Sequence, residues 1–254
     1  MNESEIELVR GQNRGSVRIG TAGWSIPKNC RSGFPEEGTG LEKYASRFNA
    51  VEINSSFYRS HKKLTYEKWA SQVPAKFLFS IKIPRSITHR SRLTNIDEQL
   101  AAFADEISGL GSKLGCVLVQ LPPSFVFFQP HMEQAFGLLR KTFTCPIVCE
   151  PRHESWCSYA AYQFLIEAGV ARVAADPALC ALASLPDVDS KVYYYRLHGS
   201  PDMYYSEYSM NDLHNYAASI KANRLKSNVW CIFDNTANGY ATLNAIAMSQ
   251  LLAA

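Results

Sequence analysis

The sequence predicts an α/β protein that forms a single (β/α)8 barrel of the TIM type, with a parallel eight-stranded sheet surrounded by helices. Short runs rich in β-branched and aromatic residues alternate with longer segments of helical apolar spacing along the whole chain. Eight strand-like runs are present, and no low-complexity linker separates them. The chain has 254 residues, which is a usual length for one such barrel.

Each predicted strand is a short apolar run between polar or turn-forming residues. The eight runs are 17–20, 50–54, 77–83, 116–121, 146–150, 171–175, 192–199 and 229–233. Apolar residues at helical spacing predict helices at 41–47, 66–72, 97–110, 132–141, 158–168, 212–222 and 241–251. The interval after the sixth strand lacks a clear helix. This alternation favours a closed barrel over an open sheet, so we expect an N-terminal extension at residues 1–16 and one barrel domain at residues 17–254.

Composition indicates a globular protein of the cytoplasm. Apolar residues make up 46% of the chain and charged residues 19%, which is enough to build a core. The charged N-terminal segment lacks the apolar centre of a signal peptide, and no apolar run approaches the roughly 20 residues of a membrane helix. We therefore expect no membrane partner. The sequence leaves the oligomeric state open.

The cysteines and glycines argue against several kinds of site. The 7 cysteines are odd in number and form no C-x-x-C pair, so we expect reduced thiols and neither a disulfide framework nor a cysteine metal site. No G-x-G-x-x-G follows the first strand, where a dinucleotide fold would require it. We therefore expect no nucleotide cofactor.

Polar side chains lie at the carboxyl end of every predicted strand from the second onward. They are Glu52, Asn54, Lys82, Gln120, Glu150, Asp176, Arg196, His198, Asp234 and Asn235. Active sites of such barrels lie at the carboxyl ends of the strands. Burying charge is costly, and structure alone gives no reason to place all of that cost at one end. The pattern therefore favours a ligand or catalytic site over separate ion pairs.

Positive charge is concentrated in one part of the chain. Between residues 54 and 96 there are nine Lys or Arg residues and a single acidic residue, Glu67. Arg85, Arg90 and Arg92 lie within the predicted loop 83–93. Such clustering favours an anion-binding role for this loop.

Nine short motifs occur in order along the chain. They are GTAGWS (20–25), GFP (33–35), VEINSSFYR (51–59), THRSRL (88–93), LGCVLVQLPPSF (114–125), EPRHESW (150–156), AADP (174–177), YRLHG (195–199) and FDNTANGYATLNA (233–245). Together they resemble the YecE-like family, also called domain of unknown function 72, from about residue 17 to the C-terminus. The resemblance implies one TIM-type barrel, similar in outline to the xylose isomerase and endonuclease IV group, in a family with no established reaction.

The resemblance also implies a set of site positions. These are Glu52, Asn54, Lys82, His89, Gln120, Glu150, Arg152, His153, Asp176, Arg196, His198 and Asn235. One departure is Asp234, where we expect the family pattern to have Asn. The added negative charge leaves the role of the eighth strand end open.

The leading hypothesis is a hydrolase-like enzyme, assisted by a metal ion, that acts on a phosphorylated or anionic substrate or on nucleic acid. Glu52, Glu150, Asp176 and His198 come from four strands, and mixed carboxylate and imidazole ligands suit Zn²⁺, Mn²⁺ or Mg²⁺ and the activation of water. The basic loop, with Arg92, would hold the phosphates. The sequence has no compact motif such as H-E-x-x-H, so the divalent metal stays a hypothesis.

Two alternatives remain open. The first is metal-free acid–base chemistry on a small sugar-like or anionic substrate, as in isomerases or lyases, with Glu150 or His153 moving the proton. The second is non-catalytic binding of single-stranded nucleic acid by basic side chains and by aromatic residues in loops. These aromatic residues are Trp24, Phe57, Tyr58, Tyr204 and Tyr205.

The sequence thus gives two groups of candidate residues. The candidate catalytic residues are Glu52, Glu150, His153, Asp176 and His198, and the candidate substrate-binding residues are Asn54, Lys82, His89, Arg92, Gln120, Arg152, Arg196 and Asn235.

Overall fold

The computed structural model describes residues 15–185 and 191–253 and shows an α/β fold. The strands are β1 (Val17–Thr21), β2 (Ala50–Ile53), β3 (Leu78–Lys82), β4 (Leu114–Gln120), β5 (Ile147–Glu150), β6 (Ala171–Arg172), β7 (Ala174–Asp176), β8 (Val192–Leu197) and β9 (Asn228–Phe233). The helices are α1 (Gly40–Ala45), α2 (Ser55–Tyr58), α3 (Lys63–Ser71), α4 (Asp97–Ile107), α5 (Gln129–Thr142), α6 (Tyr159–Glu167), α7 (Met210–Asn223) and α8 (Tyr240–Ala253). The predicted extension at residues 1–16 lies outside the described residues, except for its last two.

All strand pairs are parallel, as the sequence predicted. One sheet has the order β1-β9-β8-β7, and the other has the order β2-β3-β4-β5-β6. An isolated parallel bridge joins Ala22 to Glu52, just beyond β1 and at β2. Because parallel strands present their carboxyl ends at one edge, the polar strand ends lie on the same side of each sheet.

The prediction of one eight-stranded sheet is not confirmed in that form. The described residues contain two sheets, and the predicted strand 171–175 is divided into β6 and β7. The division falls at Val173, whose N–H still donates to the carbonyl of Cys149 on β5. Val173 thus separates the two ladders.

The segments after β2 and β3 contain helical turns that the sequence pattern did not predict. Helix α2 follows β2 directly, and a single π-helical turn at Ser86–Arg90 replaces the predicted loop. The Ser56 hydroxyl of α2 donates to the carbonyl of Lys82 at 2.7 Å. This bond fixes the end of β3 against the segment that follows β2.

Side-chain caps begin three of the other helices, α1, α6 and α7. The Ser209 side chain accepts from the Asp212 N–H, and the Asp212 carboxylate accepts from the Ser209 N–H, so a capping box starts α7. Its buried residues Leu213, Ala217 and Ile220 share one helical face. Among the helices of the described residues, none combines the length and the apolar character required to cross a bilayer.

Strand alternation separates an inner apolar row from the outer core. Ala50, Leu118, Val148 and Ile232 belong to one buried cluster that is distinct from the larger cluster under the helices. Side chains two residues apart share a face of a strand. Glu52, Gln120, Glu150 and Asp234 each follow one of these apolar residues by two positions, so they continue the inner row to its polar end.

The expectation that all cysteines are reduced was wrong for two of them. Cys157 and Cys180 form a disulfide with a Cα–Cα distance of 6.4 Å. Cys157 lies after β5 and Cys180 lies after β7. Both segments leave neighbouring strand ends, which brings together two thiols that are 23 residues apart in sequence. The other five cysteines are free.

We expect the disulfide to stabilise the connection between these two segments. A loop of 23 residues restricts the unfolded chain enough that Cys157→Ser should lower the free energy of unfolding by about 2–4 kcal/mol. Urea denaturation under non-reducing conditions measures this change. Cys145→Ser, at a free and partly exposed thiol, is the control and should change the free energy by less than about 1 kcal/mol. A wild-type midpoint that does not respond to reductant would contradict the prediction.

Candidate functional site

Arg196 on β8 lies at the centre of a buried charged cluster. Its Nε and one terminal nitrogen donate to both oxygens of Glu52 at 3.0 and 2.7 Å. The same terminal nitrogen donates to Asp234 Oδ2 at 2.9 Å, and the other donates to Glu150 Oε2. Burial alone would lower the pKa of Arg196, but Glu150, Glu52 and Asp234 raise it well above its usual value. One permanently charged guanidinium therefore joins carboxylates from β2, β5 and the segment after β9.

Tyr194 and Ser80 complete the deepest layer of the cluster. The Tyr194 hydroxyl lies 2.9 Å from Glu52 Oε2 and 2.8 Å from Ser80 Oγ. A hydroxyl carries one proton, so Tyr194 donates to the carboxylate and accepts from Ser80. Burial and the Glu52 carboxylate raise the pKa of Tyr194 well above its usual value, which keeps the phenol protonated. Glu52 is thereby fully engaged by protein groups.

His198 is held between two carboxylates and an arginine. Nδ1 lies 3.0 Å from Asp234 Oδ2. Nε2 lies 3.0 Å from Glu150 Oε1 and 2.8 Å from a terminal nitrogen of Arg152. A carboxylate can only accept and a guanidinium can only donate. His198 Nε2 can therefore satisfy one of these neighbours at a time, depending on whether it carries a proton.

The carboxyl groups beside His198 are ionised at neutral pH. Burial opposes ionisation of Glu150, but Arg196, His198 and Arg152 outweigh it and hold the pKa of Glu150 well below its usual value. Burial likewise opposes ionisation of Asp234, and Arg196 with the hydrogen bond from His198 lowers its pKa. Both side chains are therefore available as acceptors for a histidine proton.

Lys82 ends β3 beside this cluster. Its Nζ lies 4.0 Å above the ring of Phe57, and the residue is 7% exposed. Burial, then Arg196, lowers the pKa of Lys82 to about 8, although the nearby carboxylates act in the opposite direction. Within the described ranges of the chain, no carboxylate oxygen lies within 4.0 Å of Nζ and no acceptor is hydrogen-bonded to it. Lys82 differs in this respect from the other cations of the cluster.

Three charged groups of the cluster reach its accessible side. Asp234 is 7% exposed, as is Lys82, and the side chain of Arg152 is 14% exposed. Arg196 and His198 are fully buried. Arg152 binds Glu150 as well as His198, while its Nε has no partner among the described residues. A ligand would therefore meet Lys82, Arg152 and Asp234 first.

Three predicted site residues instead stabilise neighbouring segments. The Asp176 carboxylate accepts from the Tyr208 hydroxyl at 2.7 Å. The Asn235 amide donates to the Ser206 carbonyl and to Asn244 at 2.9 and 2.8 Å. The ring of His153 accepts from the Ser155 N–H at 3.1 Å and caps the short helix Glu154–Cys157. Asp176, Asn235 and His153 thus have structural partners close at hand.

The four proposed metal ligands do not form one set. Asp176 is bound to Tyr208, whereas Glu52 and Glu150 are bound to Arg196. No group of three or more His, Cys, Asp or Glu side chains within residues 15–185 and 191–253 is arranged to hold a metal ion. The donor oxygens that the metal hypothesis requires are used by cationic side chains of the protein.

Other predicted binding residues lie around the cluster. His89 packs edge-on against Phe57 at 5.0 Å between ring centres, and its pKa is lowered by burial, then by Lys82, Arg85 and Arg92. Arg92 binds the hydroxyl and carbonyl of Ser124 at 3.1 and 3.0 Å.

The two other predicted binding residues lie at strand ends, because Gln120 is the last residue of β4 and Asn54 follows β2. Gln120 is paired with Glu150 in the register of β4 and β5. The Oδ1 atom of Asn54 is buried and has no partner among the described residues.

The sequence prediction missed some members of the cluster. Tyr194 and Ser80 lie two residues before Arg196 and Lys82, so strand alternation could have placed them on the same face. Asp234, whose role was left open, binds both Arg196 and His198. Phe57 was predicted only as a loop aromatic that could bind nucleic acid, whereas the short helix α2 places its ring under Lys82.

Comparisons with known proteins identify relatives without assigning a reaction. The family model "Protein of unknown function DUF72" matches residues 18–254. UPF0759 protein YecE of Escherichia coli K12 is 35% identical over 109 residues, which cover 43% of this chain and 39% of that protein. The chain thus matches about two fifths of the length of YecE. UPF0759 protein YunF of Bacillus subtilis is 25% identical over 268 residues, covering 93% and 94% of the two chains.

Solved structures of DUF72 family proteins share the fold. One from Enterococcus faecalis V583 has a TM-score of 0.80 at 22% identity, covering 94% of this chain and 96% of that one. Another from Thermotoga maritima has a TM-score of 0.77 at 23% identity, covering 94% and 100%. These likenesses establish the fold alone.

We expect Arg196→Met to lower the free energy of unfolding by about 3–5 kcal/mol, because it leaves three buried carboxylates without their shared cation. Urea denaturation measures the change. Arg92→Met, at an exposed arginine, is the matched control and should change stability by no more than about 1 kcal/mol. Equal stability of the two variants would show that Arg196 does not hold the cluster together.

The lowered pKa of Glu150 predicts a specific response to acid. A carboxyl with a depressed folded-state pKa adds stability that is complete above its ordinary value of about 4 and is lost as the pH falls below it. The stability of Glu150→Gln should therefore fall less steeply between about pH 5 and pH 2 than that of the wild type. Denaturation at several pH values tests this, with Glu133→Gln at an exposed position as control. Parallel curves for wild type and Glu150→Gln would contradict it.

Proposed function

The chain belongs to the DUF72 family, a family of unknown function, and we propose that it is an enzyme that performs metal-free acid–base chemistry on a small anionic substrate. The observation that carries the proposal is the position of His198 between Glu150 and Arg152. A histidine that only stabilised the fold would need one compatible partner on each nitrogen. His198 has two incompatible partners on Nε2.

These contacts define two states of His198. In the neutral state, Nδ1–H donates to Asp234 and Nε2 accepts from Arg152. In the protonated state, both nitrogens donate, one to Asp234 and the other to Glu150. The second state removes the contact between Arg152 and His198, while the ion pair of Arg152 with Glu150 remains. Proton transfer at Nε2 is therefore coupled to a change in what Arg152 binds, which suits a general acid–base group.

The charge balance favours an anionic substrate. Glu52, Glu150 and Asp234 carry three negative charges, and Arg152, Arg196 and a protonated Lys82 carry three positive charges. A proton on His198 adds one positive charge to the cluster. An anion that binds Arg152 and Lys82 on the accessible side would offset it. Substrate binding and protonation of His198 would then support each other.

This geometry supports the metal-assisted hydrolase less well. Such an enzyme would need open oxygen and nitrogen ligands, whereas Arg196, Tyr194 and His198 engage the oxygens of Glu52, Glu150 and Asp234. Metal analysis of protein purified without chelator separates the two proposals. About one metal ion per chain in the wild type, lost from a Glu150→Gln, His198→Ala double variant, would overturn the metal-free proposal.

Anion binding provides the direct test, with inorganic phosphate as the probe. Calorimetry in buffers of different ionisation enthalpy should show saturable binding with proton uptake by the wild type. Arg152→Met should weaken binding by about tenfold or more, because a charge-assisted hydrogen bond is lost. His198→Gln should retain binding and lose the proton uptake.

Arg140→Met, at an exposed arginine in the last turn of α5, is the control and should bind as the wild type does. Phosphate affinity that is the same in the wild type and Arg152→Met would refute the assigned anion site.

We also propose that the two sheets form one closed barrel. Its support is the continuity of β6 and β7 on either side of Val173 and the bridge between Ala22 and Glu52. A crystal structure in which β1 and β2 lie apart would contradict closure.

We propose a cytoplasmic location as well. Five cysteines are free thiols, in agreement with a reducing compartment, while the Cys157–Cys180 bond is the feature that opposes it. Cell fractionation tests this location, and recovery of the protein outside the cytoplasm would refute it.

Single-stranded nucleic acid is a second candidate ligand, supported by a basic cleft of ≈ 240 Å³ between α2, the π-helical turn and α4. Arg59, Arg85 and Arg90 line it together with Tyr58, which is 73% exposed, although Glu106 also contributes to its wall. Arginine and an accessible aromatic ring are the groups that hold phosphates and unstacked bases.

Fluorescence anisotropy with a labelled single-stranded oligonucleotide tests this cleft. An Arg85→Ala, Arg90→Ala double variant should bind more weakly and with a salt dependence that is shallower by about one to two counterions. A Lys221→Ala, Lys226→Ala variant at exposed positions near the end of α7 is matched in charge. If both double variants bind as the wild type does, the cleft is not the site.

A further inference from the structure

Lys82 has an environment that does not suit a permanent charge. Its ammonium group lies over the Phe57 ring in a side chain that is largely buried, without a hydrogen-bond acceptor among the described residues. A buried ammonium is costly unless it is paired. The ring face compensates in part through a cation–π contact. The neutral amine is the form that this environment tolerates best.

Other cations of the same protein show the contrast. Each charged nitrogen group of Arg196 binds carboxylate oxygens. Lys113, a partly exposed lysine, donates to the carbonyl of Pro74. Lys82 therefore stands apart from both, since its nitrogen is neither paired nor freely hydrated.

We propose that Lys82 is a nucleophile that forms an imine with the carbonyl carbon of a small aldehyde or ketone carrying a carboxylate or phosphate group. The inference rests on the proposed function, because it takes the anionic substrate from that site. A desolvated lysine beside another cation is a common form of activated amine. Arg152, on the accessible side of the cluster, would hold the anionic group.

The step balances without an oxidant or reductant. The neutral amine of Lys82 attacks the carbonyl carbon, a C–N bond forms, and the electron pair of the C=O π bond moves to oxygen, which takes up a proton. The carbinolamine then expels this oxygen as water while the nitrogen lone pair forms the C=N bond. Counted from the ammonium form, the products are a protonated imine and one water molecule. Both hydrogens that the nitrogen loses are in that water. His198, the acid–base group of the proposed function, would exchange the proton with this oxygen.

Several charged groups set the pH range of this reaction. Burial and Arg196 lower the pKa of Lys82 to about 8, while Glu52, Glu150 and Asp234 oppose the shift. His89 adds no fixed positive charge near neutrality, because burial and the surrounding cations lower its own pKa. At pH 7 the neutral fraction of Lys82 would exceed that of an ordinary lysine by about a hundredfold or more. Imine formation should rise as the pH increases through about 8.

Reductive trapping tests the proposal. The full-length protein is incubated with glyoxylate or with dihydroxyacetone phosphate, reduced with cyanoborohydride, and analysed by intact mass and peptide mapping. We expect a single adduct on Lys82, formed at least about tenfold faster than adducts on Lys113 at pH 7. Glycolate and glycerol 3-phosphate, which carry the same anionic groups without a carbonyl, should give no adduct.

Variants separate the chemistry from the fold. Lys82→Arg keeps a cation over Phe57 but cannot form an imine, and it should abolish the fast adduct. Lys113→Arg, the matched control, should trap as the wild type does. Inorganic phosphate binding reports independently on the anion site. If neither probe labels Lys82 faster than Lys113 while phosphate still binds through Arg152, the lysine proposal is refuted and the proposed function stands. If Lys82 is labelled no faster than Lys113 and phosphate does not bind through Arg152, both the lysine proposal and the proposed function are refuted.

Discussion

The attraction between one guanidinium and three carboxylates is the interaction on which the site depends. Glu52, Glu150 and Asp234 come from β2, β5 and the segment after β9, and no two of them could share a buried space without a cation between them. Arg196 supplies five donors in a planar fork, which suits several oxygens at once. A lysine in its place would provide a point charge without this geometry. Arg196 is therefore the structural charge at the base of the cluster. The charged groups that a ligand could contact, Lys82, Arg152 and Asp234, lie above it.

The apolar row beneath the cluster gives these charges their strength. Ala50, Leu118, Val148 and Ile232 fill the inner face before the polar strand ends begin. Water is thereby excluded from below, and electrostatic effects are larger than they would be at a surface. This explains why the surroundings shift the ionisation of Glu150 towards the charged form but that of Lys82 towards the neutral form. Glu150 becomes a stronger acid because cations surround it, whereas Lys82 becomes a weaker base because burial and Arg196 disfavour a second positive charge.

Strand periodicity predicted which strand-end residues meet in the charged cluster, and local contacts account for the predicted residues that lie outside it. Glu52, Glu150, Arg196 and His198 were correctly expected to meet, since they continue the inner faces of parallel strands. Asp176 occupies an equivalent strand end, yet it binds Tyr208. A period of two residues gives the face of a side chain but contains no information about a partner from a distant loop.

The same limit applies to features outside the strands. Asn235 binds Ser206 and Asn244, and Cys157 binds Cys180, through contacts that depend on how separate segments meet. The π-helical turn at Ser86–Arg90 has no repeat long enough to be recognised. Composition and spacing thus predicted the parallel α/β fold and the polar edge, while the pairing of individual side chains required the folded chain.

The position of Arg152 links the two halves of the site. It is the partly exposed cation that contacts both Glu150 and His198, so any anion that draws its guanidinium outward removes a donor from His198 Nε2. Nε2 can then take a proton and donate to Glu150, which is 3.0 Å away. In the proposed function, the same anion would bring the rest of the substrate beside Lys82. A substrate charge that is itself unreactive would therefore prepare the acid–base group and position the carbonyl carbon in one binding event.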